Sequence, residues 1–495
     1  MKSSLDWIVV AIYAIGMLAI GVYFQRKTKT TDDYMLGGRQ MKSWSVGLSL
    51  FATLFSAITY LAMPGEMIKH GPMMWSKIAS LPLVYGVVGW FLIPHIMKLR
   101  VSSAYELLEL RLGVKIRTLA SLFFLTMRLI WMAVIIFMVA EKVMVPIMGW
   151  SDETAIWVSV ALGVITIGYT SLGGLRGVVL TDVIQSFILF GGTILAIILI
   201  TSHFGSVAAI IPTEWPGHWA EWKFFDMNAR VSFMTMNITI FGMYVCTAGS
   251  DQMSIQRYLS TRDARAARKA FLTSLLANGI VYIMLAVLGI ALMSYYQANP
   301  GLLMNGESLT SAADSLLPYY IVNGFPVGIS GLVFSGLLAA AMSSLSSGIN
   351  SSSMVVINDF IIRFKQDKLS EELQVKWARV ISVIIGFVAI LLSLVMGNVK
   401  GNLIEITFKT VNLLVAPLFV PFFMALFVKR SSERAVVIGT IASALTATCI
   451  SFSSELFNSV ISFLWIIPAS FAVGALTSYL LSYVLPKPTT GIAGN

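Results

Sequence analysis

The sequence predicts an all-α integral membrane protein with about 13 transmembrane helices, and three observations carry that reading. First, 57% of the 495 residues are hydrophobic and only 12% are charged. That is about half the charged share of a soluble domain, and the mean hydropathy is +0.82. Second, apolar runs of membrane-spanning length recur from end to end. Third, the basic residues fall almost wholly into alternate loops. A water-soluble globular enzyme is excluded, because the chain lacks the polar residues to cover its surface.

A span needs about 20 mostly apolar residues. Span 1 covers 5–24; it is too long, and too weakly charged ahead of its apolar run, for a cleaved signal peptide. Span 2 covers 43–64, interrupted by Ser56, Thr59 and Tyr60 and closed by Pro64-Gly65. Span 3 covers 75–97, and residues 102–113 read as one surface helix. Spans 4, 5 and 6 cover 116–146, 153–173 and 177–202. Span 7 covers 231–251, with Gly242 and Gly249 as places for a break, and span 8 covers 270–295. Spans 9 to 13 cover 327–358, 377–397, 403–428, 434–453 and 457–485. The longer gaps, 203–230 and 296–326, have room for short amphipathic pieces.

Loops after the odd-numbered spans hold 25 of the 34 Lys and Arg residues, and the opposite side holds five. Cytoplasmic loops retain Lys and Arg, so the amino terminus is expected outside and the carboxyl terminus in the cytoplasm. The net charge of +10 is therefore topological, and no nucleic-acid partner is expected. Two consecutive five-helix units, 43–202 and 231–428, would have opposite orientations. Inverted repeats with broken helices and a midplane site are a recurrent transporter plan. The four histidines form no HExxH and no phosphate-binding loop occurs, so no enzyme is expected. The two cysteines define no metal site.

Polar groups inside a span are functional candidates by default. Span 9 holds the densest set. Ala340, Ser343, Ser344 and Ser347 share one helical face, and Ser346 extends it. Hydroxyl and carbonyl oxygens suit a hard cation, although small residues also serve close helix packing. Asp182 in span 6 needs a partner, which a cation or Arg176 would supply. A break in span 2 near Ala52 to Ser56 would free carbonyls. Arg128 lies about 18 Å along span 4 at 1.5 Å per residue, near the midplane, and meets either an anionic substrate or a carboxylate. With Asp182 committed to a cation and Glu141 and Glu405 near span ends, an anionic substrate fills that role. Lys77, the Glu141–Lys142 pair and the Glu405/Lys409 pair read as snorkelling or i,i+4 charges.

Several strings resemble the sodium/solute symporter family: YMLGGRQM (34–41), SLFATLFSAITYLAMPGE (49–66), SSAYELLELRLG (102–113), YTSLGGLRGVVLTDVIQ (169–185), QRYLSTRDARAARKA (256–270) and SGLLAAAMSSLSSGINS (335–351). The resemblance covers nearly the whole chain. It implies a LeuT-like five-plus-five inverted repeat with extra flanking helices, and alternating access. It further implies a first Na+ site at Ala52, Phe55, Ala340, Ser343 and Ser344, and a second at Asp182, Ser346 and Ser347. The substrate pocket is implied at Ser56, Thr59, Tyr244, Thr247 and Asn278, with Arg128 added on the charge argument. Sialic acid symporters place a substrate arginine where Trp131 stands. The expectation is a secondary transporter that couples inward Na+ movement to uptake of a small organic solute, leaning to a carboxylate. The alternatives are a sugar or neutral solute and, further off, a membrane sensor or channel. Its partners are the solute, Na+ and the lipid bilayer of the cell membrane; no obligate protein partner is expected.

Overall fold

The computed structural model describes residues 3–98, 101, 103–227, 229–303, 307–365, 369–396, 412–458 and 461–485. Among them every regular element is helical. Among the described residues nine helices are long and apolar enough to cross a membrane, or ten with one bent pair counted as a single span. The remaining expected spans are present in other forms. Spans 5 and 6 are two helices that follow each other directly within Thr154–Phe204, kinked at Gly174, where the backbone leaves the helical region at φ 57° and ψ −161°. Span 7 is Phe233–Ser250, 18 residues long. Span 11 is described only from Asn412, and its helix runs Val415–Phe427. The Glu405/Lys409 pair and the first part of span 11 lie outside the described residues.

Helix starts follow the capping residues in the sequence. Ser3, Thr30, Ser56, Asp263, Ser308 and Ser370 each accept a backbone N–H of the following turn through the side chain. Span 2 is two helices, Ser43–Leu54 and Ala57–His70, bent by 67°. Phe55 is extended between them, and Ser56 restarts the chain as a new cap. Pro64 does not end the second half, which runs on to His70.

The apolar core is built where span 6 packs on span 9 and the first half of span 2 packs on span 8. Span 1 lies against the 154–204 pair of helices, and spans 12 and 13 pair with each other. The exposed apolar residues lie along the outer helices, as in Ile12, Ile15, Trp90, Phe187, Ile283 and Leu391.

Three expectations need correction. Residues 252–259, expected as part of a basic loop, form a wholly buried helix, Gln252–Leu259. The expected surface helix is shorter, Glu106–Leu112, and its approach is buried at Ser103, Ala104 and Tyr105. Lys77 does not snorkel: its residue is 5% exposed. Of the expected amphipathic pieces, Leu309–Asn323 is a helix that packs on span 2, while the described residues of 203–230 beyond the helix end at Phe204 carry a single turn at Ala208–Ile210.

Candidate functional site

The site forms where two broken spans meet span 9. At the break in span 2, the chain turns so that carbonyls of its first half lose their helical partners. Ser343 of span 9 donates its hydroxyl to the Ala52 carbonyl at 3.0 Å and to the Ala340 carbonyl at 3.1 Å. One turn of span 9 thus sits directly against the break. Ser344 is fully buried beside it, and its hydroxyl oxygen has no hydrogen-bond partner. Buried hydroxyls are normally satisfied. An orphan hydroxyl next to a serine that reaches two carbonyl oxygens suits Na+, which takes hard oxygen ligands. The five residues expected for the first Na+ site, Ala52, Phe55, Ala340, Ser343 and Ser344, therefore lie on the two elements that meet here, and the oxygens present fit the ion.

Asp182 lies deeper along span 6 and is fully buried. One of its oxygens accepts the Ser49 hydroxyl at 2.6 Å; the other has no partner. Arg176, weighed as its partner, pairs instead with Asp33 at 3.0 Å. The cation beside Asp182 is Arg257, 3.6 Å away and fully buried. Arg257 also donates to the Ser347 hydroxyl at 2.5 Å and to Ser49 at 3.3 Å. Ser347 shares a hydrogen bond with Thr53 at 2.9 Å, and Ser346 donates to the Ser343 carbonyl at 3.0 Å. The expected second Na+ set of Asp182, Ser346 and Ser347 thus includes a protein cation. Sequence reasoning missed Arg257 by assigning it to a solvated loop. The signal was the apolar neighbourhood of Tyr258 and Leu259.

Span 7 breaks at Asp251, not at Gly242 or Gly249. Asp251 is extended, φ −78° and ψ 122°, ends one helix and caps the next through the Met253 N–H at 2.8 Å. Its other carboxylate oxygen pairs with Arg128, and both residues are buried. This corrects the charge argument for Arg128: the negative partner that the arginine requires is Asp251, within the chain. Arg128 also lies 4.5 Å over the Trp131 ring, and its Nε has no partner.

Arg128, Trp131, Tyr244, Thr247 and Asn278 line one cavity of about 110 Å3, together with Leu54, Asp251 and Tyr282. Five of the seven residues expected around a solute are thus brought together. Ser56 and Thr59 are not part of its lining. They bond to each other at 3.2 Å, and Ser56 caps the second half of span 2. Asp251 and Tyr282 were not anticipated from the sequence.

Comparison with known proteins follows this geometry. The family model of the Sodium:solute symporter family matches residues 34–443. The sodium/sialic acid symporter SiaT of Proteus mirabilis is 32% identical, over 90% of this chain and 89% of its own. The sodium-coupled monocarboxylate transporter 1 of Mus musculus is 27% identical, over 91% of this chain and 74% of its own. A substrate-bound, outward-open structure of a Na+-coupled sialic acid symporter superposes with a TM-score of 0.85 at 28% identity, over 98% of this chain and 99% of that one. A nucleobase-cation-symport-1 family transporter matches with a TM-score of 0.53 at 12% identity, over 91% of this chain and 92% of that one, which is a likeness of fold.

Proposed function

Because this chain belongs to the sodium:solute symporter family, we propose that it carries a small carboxylate into the cell with Na+ by alternating access. The transport class itself is that of the family: a Na+-coupled, multi-pass membrane transporter rather than an enzyme. The observation that carries the Na+ reading is the orphan hydroxyl of Ser344, one residue on from the Ser343–Ala52 contact at the break of span 2. Na+ held there ties span 2 to span 9. It favours whichever conformation keeps that break and that turn together, which is the differential affinity coupling requires. Each Na+ moving inward supplies about 2.3 kcal/mol per 100 mV, before its concentration term.

We assign the second Na+ to Asp182, Ser346 and Ser347. The free oxygen of Asp182 supports this. Arg257 then holds the carboxylate when the ion is absent and yields to it when the ion binds. The amino terminus lies outside and the carboxyl terminus in the cytoplasm, supported by the split of Lys and Arg between alternate loops. Spans 2–6 and 7–11 are the two inverted units, supported by the breaks in spans 2 and 7, the first member of each.

The carboxylate reading draws on relatives named for sialic acid and monocarboxylates. The cavity volume of about 110 Å3 favours the smaller acids, since sites for drug-sized ligands begin near about 300 Å3. A neutral solute is the second reading, favoured by the closed Arg128–Asp251 pair in the cavity wall. Na+-driven uptake by purified protein in liposomes tests all of this. The expected result is uptake of a carboxylate only under an inward Na+ gradient, with a Hill coefficient for Na+ near two. D182N should bring the coefficient towards one. Uptake of sugars but no carboxylate would establish the neutral reading instead.

A further inference from the structure

One buried cation in this region has no ion-pair partner within 4.0 Å among the described residues; the carboxylate acting on it, Glu66, is paired with Arg230. Lys77 lies in the 310 segment Pro72–Ser80 that begins span 3, and the residue is 5% exposed. Its ammonium sits 3.5 Å from the centroid of the Tyr282 ring and 3.8 Å from the Met63 sulfur. Among the described residues it forms no ion pair within 4.0 Å. Burying an ammonium without a counter-charge is costly. An aromatic face offsets part of that cost and no more.

The position of Tyr282 gives this cation a use. Tyr282 lines the cavity that Arg128, Tyr244, Thr247 and Asn278 share, so Lys77 stands one aromatic ring behind its wall. The same ring packs edge-on against Phe55, 5.9 Å between centroids, at the break of span 2. The Tyr282 carbonyl accepts the Trp75 indole N–H at 2.6 Å, which ties span 8 to the Lys77 segment. Arg128, in the lining itself, is already neutralised by Asp251. Among the described residues, the cation next to the solute cavity without an ion-pair partner is therefore Lys77.

We infer that Lys77 is a specificity-determining residue for the solute carboxylate, and that the Tyr282 ring holds its ammonium until the solute arrives. The inference rests on the carboxylate reading above. A four-carbon stem with a compact, rotatable charge can leave a ring face for an anion without moving the backbone. The anion replaces the ring as the partner of the ammonium. Because the ring touches Phe55, its displacement is felt at the Na+ break, which couples recognition of the acid to the ion.

Uptake in liposomes under a Na+ gradient tests the inference, with pyruvate, lactate, sialic acid and biotin as probes and their amides as controls. The wild type reports on the carboxylate reading; K77M and K77R report on Lys77. With a carboxylate carried by the wild type, K77M should raise KM at least tenfold and leave the Na+ stabilisation of the purified protein in place. K77R should recover part of the affinity. K77M and K77Q both within twofold of the wild type for that acid would overturn the role of Lys77 while the carboxylate reading stands. A wild type that carries none of the acids overturns both. If K77M does not fold, binding of the acid to K77Q, read as a thermal shift in Na+, decides the matter in the same terms.

Discussion

Ser344 shows how much one atom can decide. Its hydroxyl is fully buried and has no partner, whereas Ser343 beside it is satisfied by two carbonyls, one of them at the span 2 break. A buried polar group left unpaired costs about 1–3 kcal/mol, which binding of Na+ would recover. Ser344→Ala should therefore weaken the apparent Na+ affinity by about 1–2 kcal/mol, or roughly five- to thirtyfold at 1.4 kcal/mol per decade. The readout is the Na+ concentration at half-maximal uptake; an unchanged value would make Ser344 a packing residue. These serines were legible because they lie on one helix, where offsets of three and four place side chains on a shared face. Asp251 and Arg257 were not. Each sits at or after a break, where periodicity no longer reports which face is buried. Arg257 also counted towards the loop charge, a rule that registers which side of the membrane a residue occupies and not whether it is solvated. The consequence was specific: with Asp251 overlooked, Arg128 was assigned to a substrate anion.

Among the elements, the kink between spans 5 and 6 is the sharpest case. The sequence places two spans with a gap near 174–176, and the structure kinks between two helices at Gly174, inside that gap. The turn is possible because Gly174 adopts φ 57° and ψ −161°, a region closed to other residues. Space closes the position as well, since a Cβ there would stand 2.8 Å from the Tyr34 carbonyl oxygen. Tyr34 is itself held by the Ser171 carbonyl at 3.0 Å, so it cannot easily retreat. Gly174→Ala is expected to destabilise the protein by about 1–3 kcal/mol, read as a lower melting temperature of the purified protein in Na+. Wild-type melting in that variant would show that the turn relaxes at no cost. The break in span 7 was anticipated in kind and misplaced in position. Glycine is the usual sign of a permissive backbone, but here the break is made by an aspartate that ends one helix and caps the next.

Across the whole molecule, hydropathy located the spans because a bilayer imposes one length on every crossing. It was least informative where function breaks that uniformity: at the halves of span 2 and at span 7 with its buried continuation. Orientation rests on charge. Basic residues concentrate after odd-numbered spans, 25 against five on the other side. Reversing the molecule would place those 25 on the face where loops are depleted of Lys and Arg. The expectation can be checked at two exposed positions, Glu214 in the loop after span 6 and Lys429 after span 11. Each is replaced by cysteine in a background lacking Cys246 and Cys449. A membrane-impermeant maleimide should label Glu214→Cys in intact cells and Lys429→Cys only after permeabilisation. The opposite pattern would invert the orientation and make inward Na+ movement enter from the face assigned here to the cytoplasm. Labelling of both positions from outside would show that the number of crossings between them is even, which thirteen spans in this order do not allow.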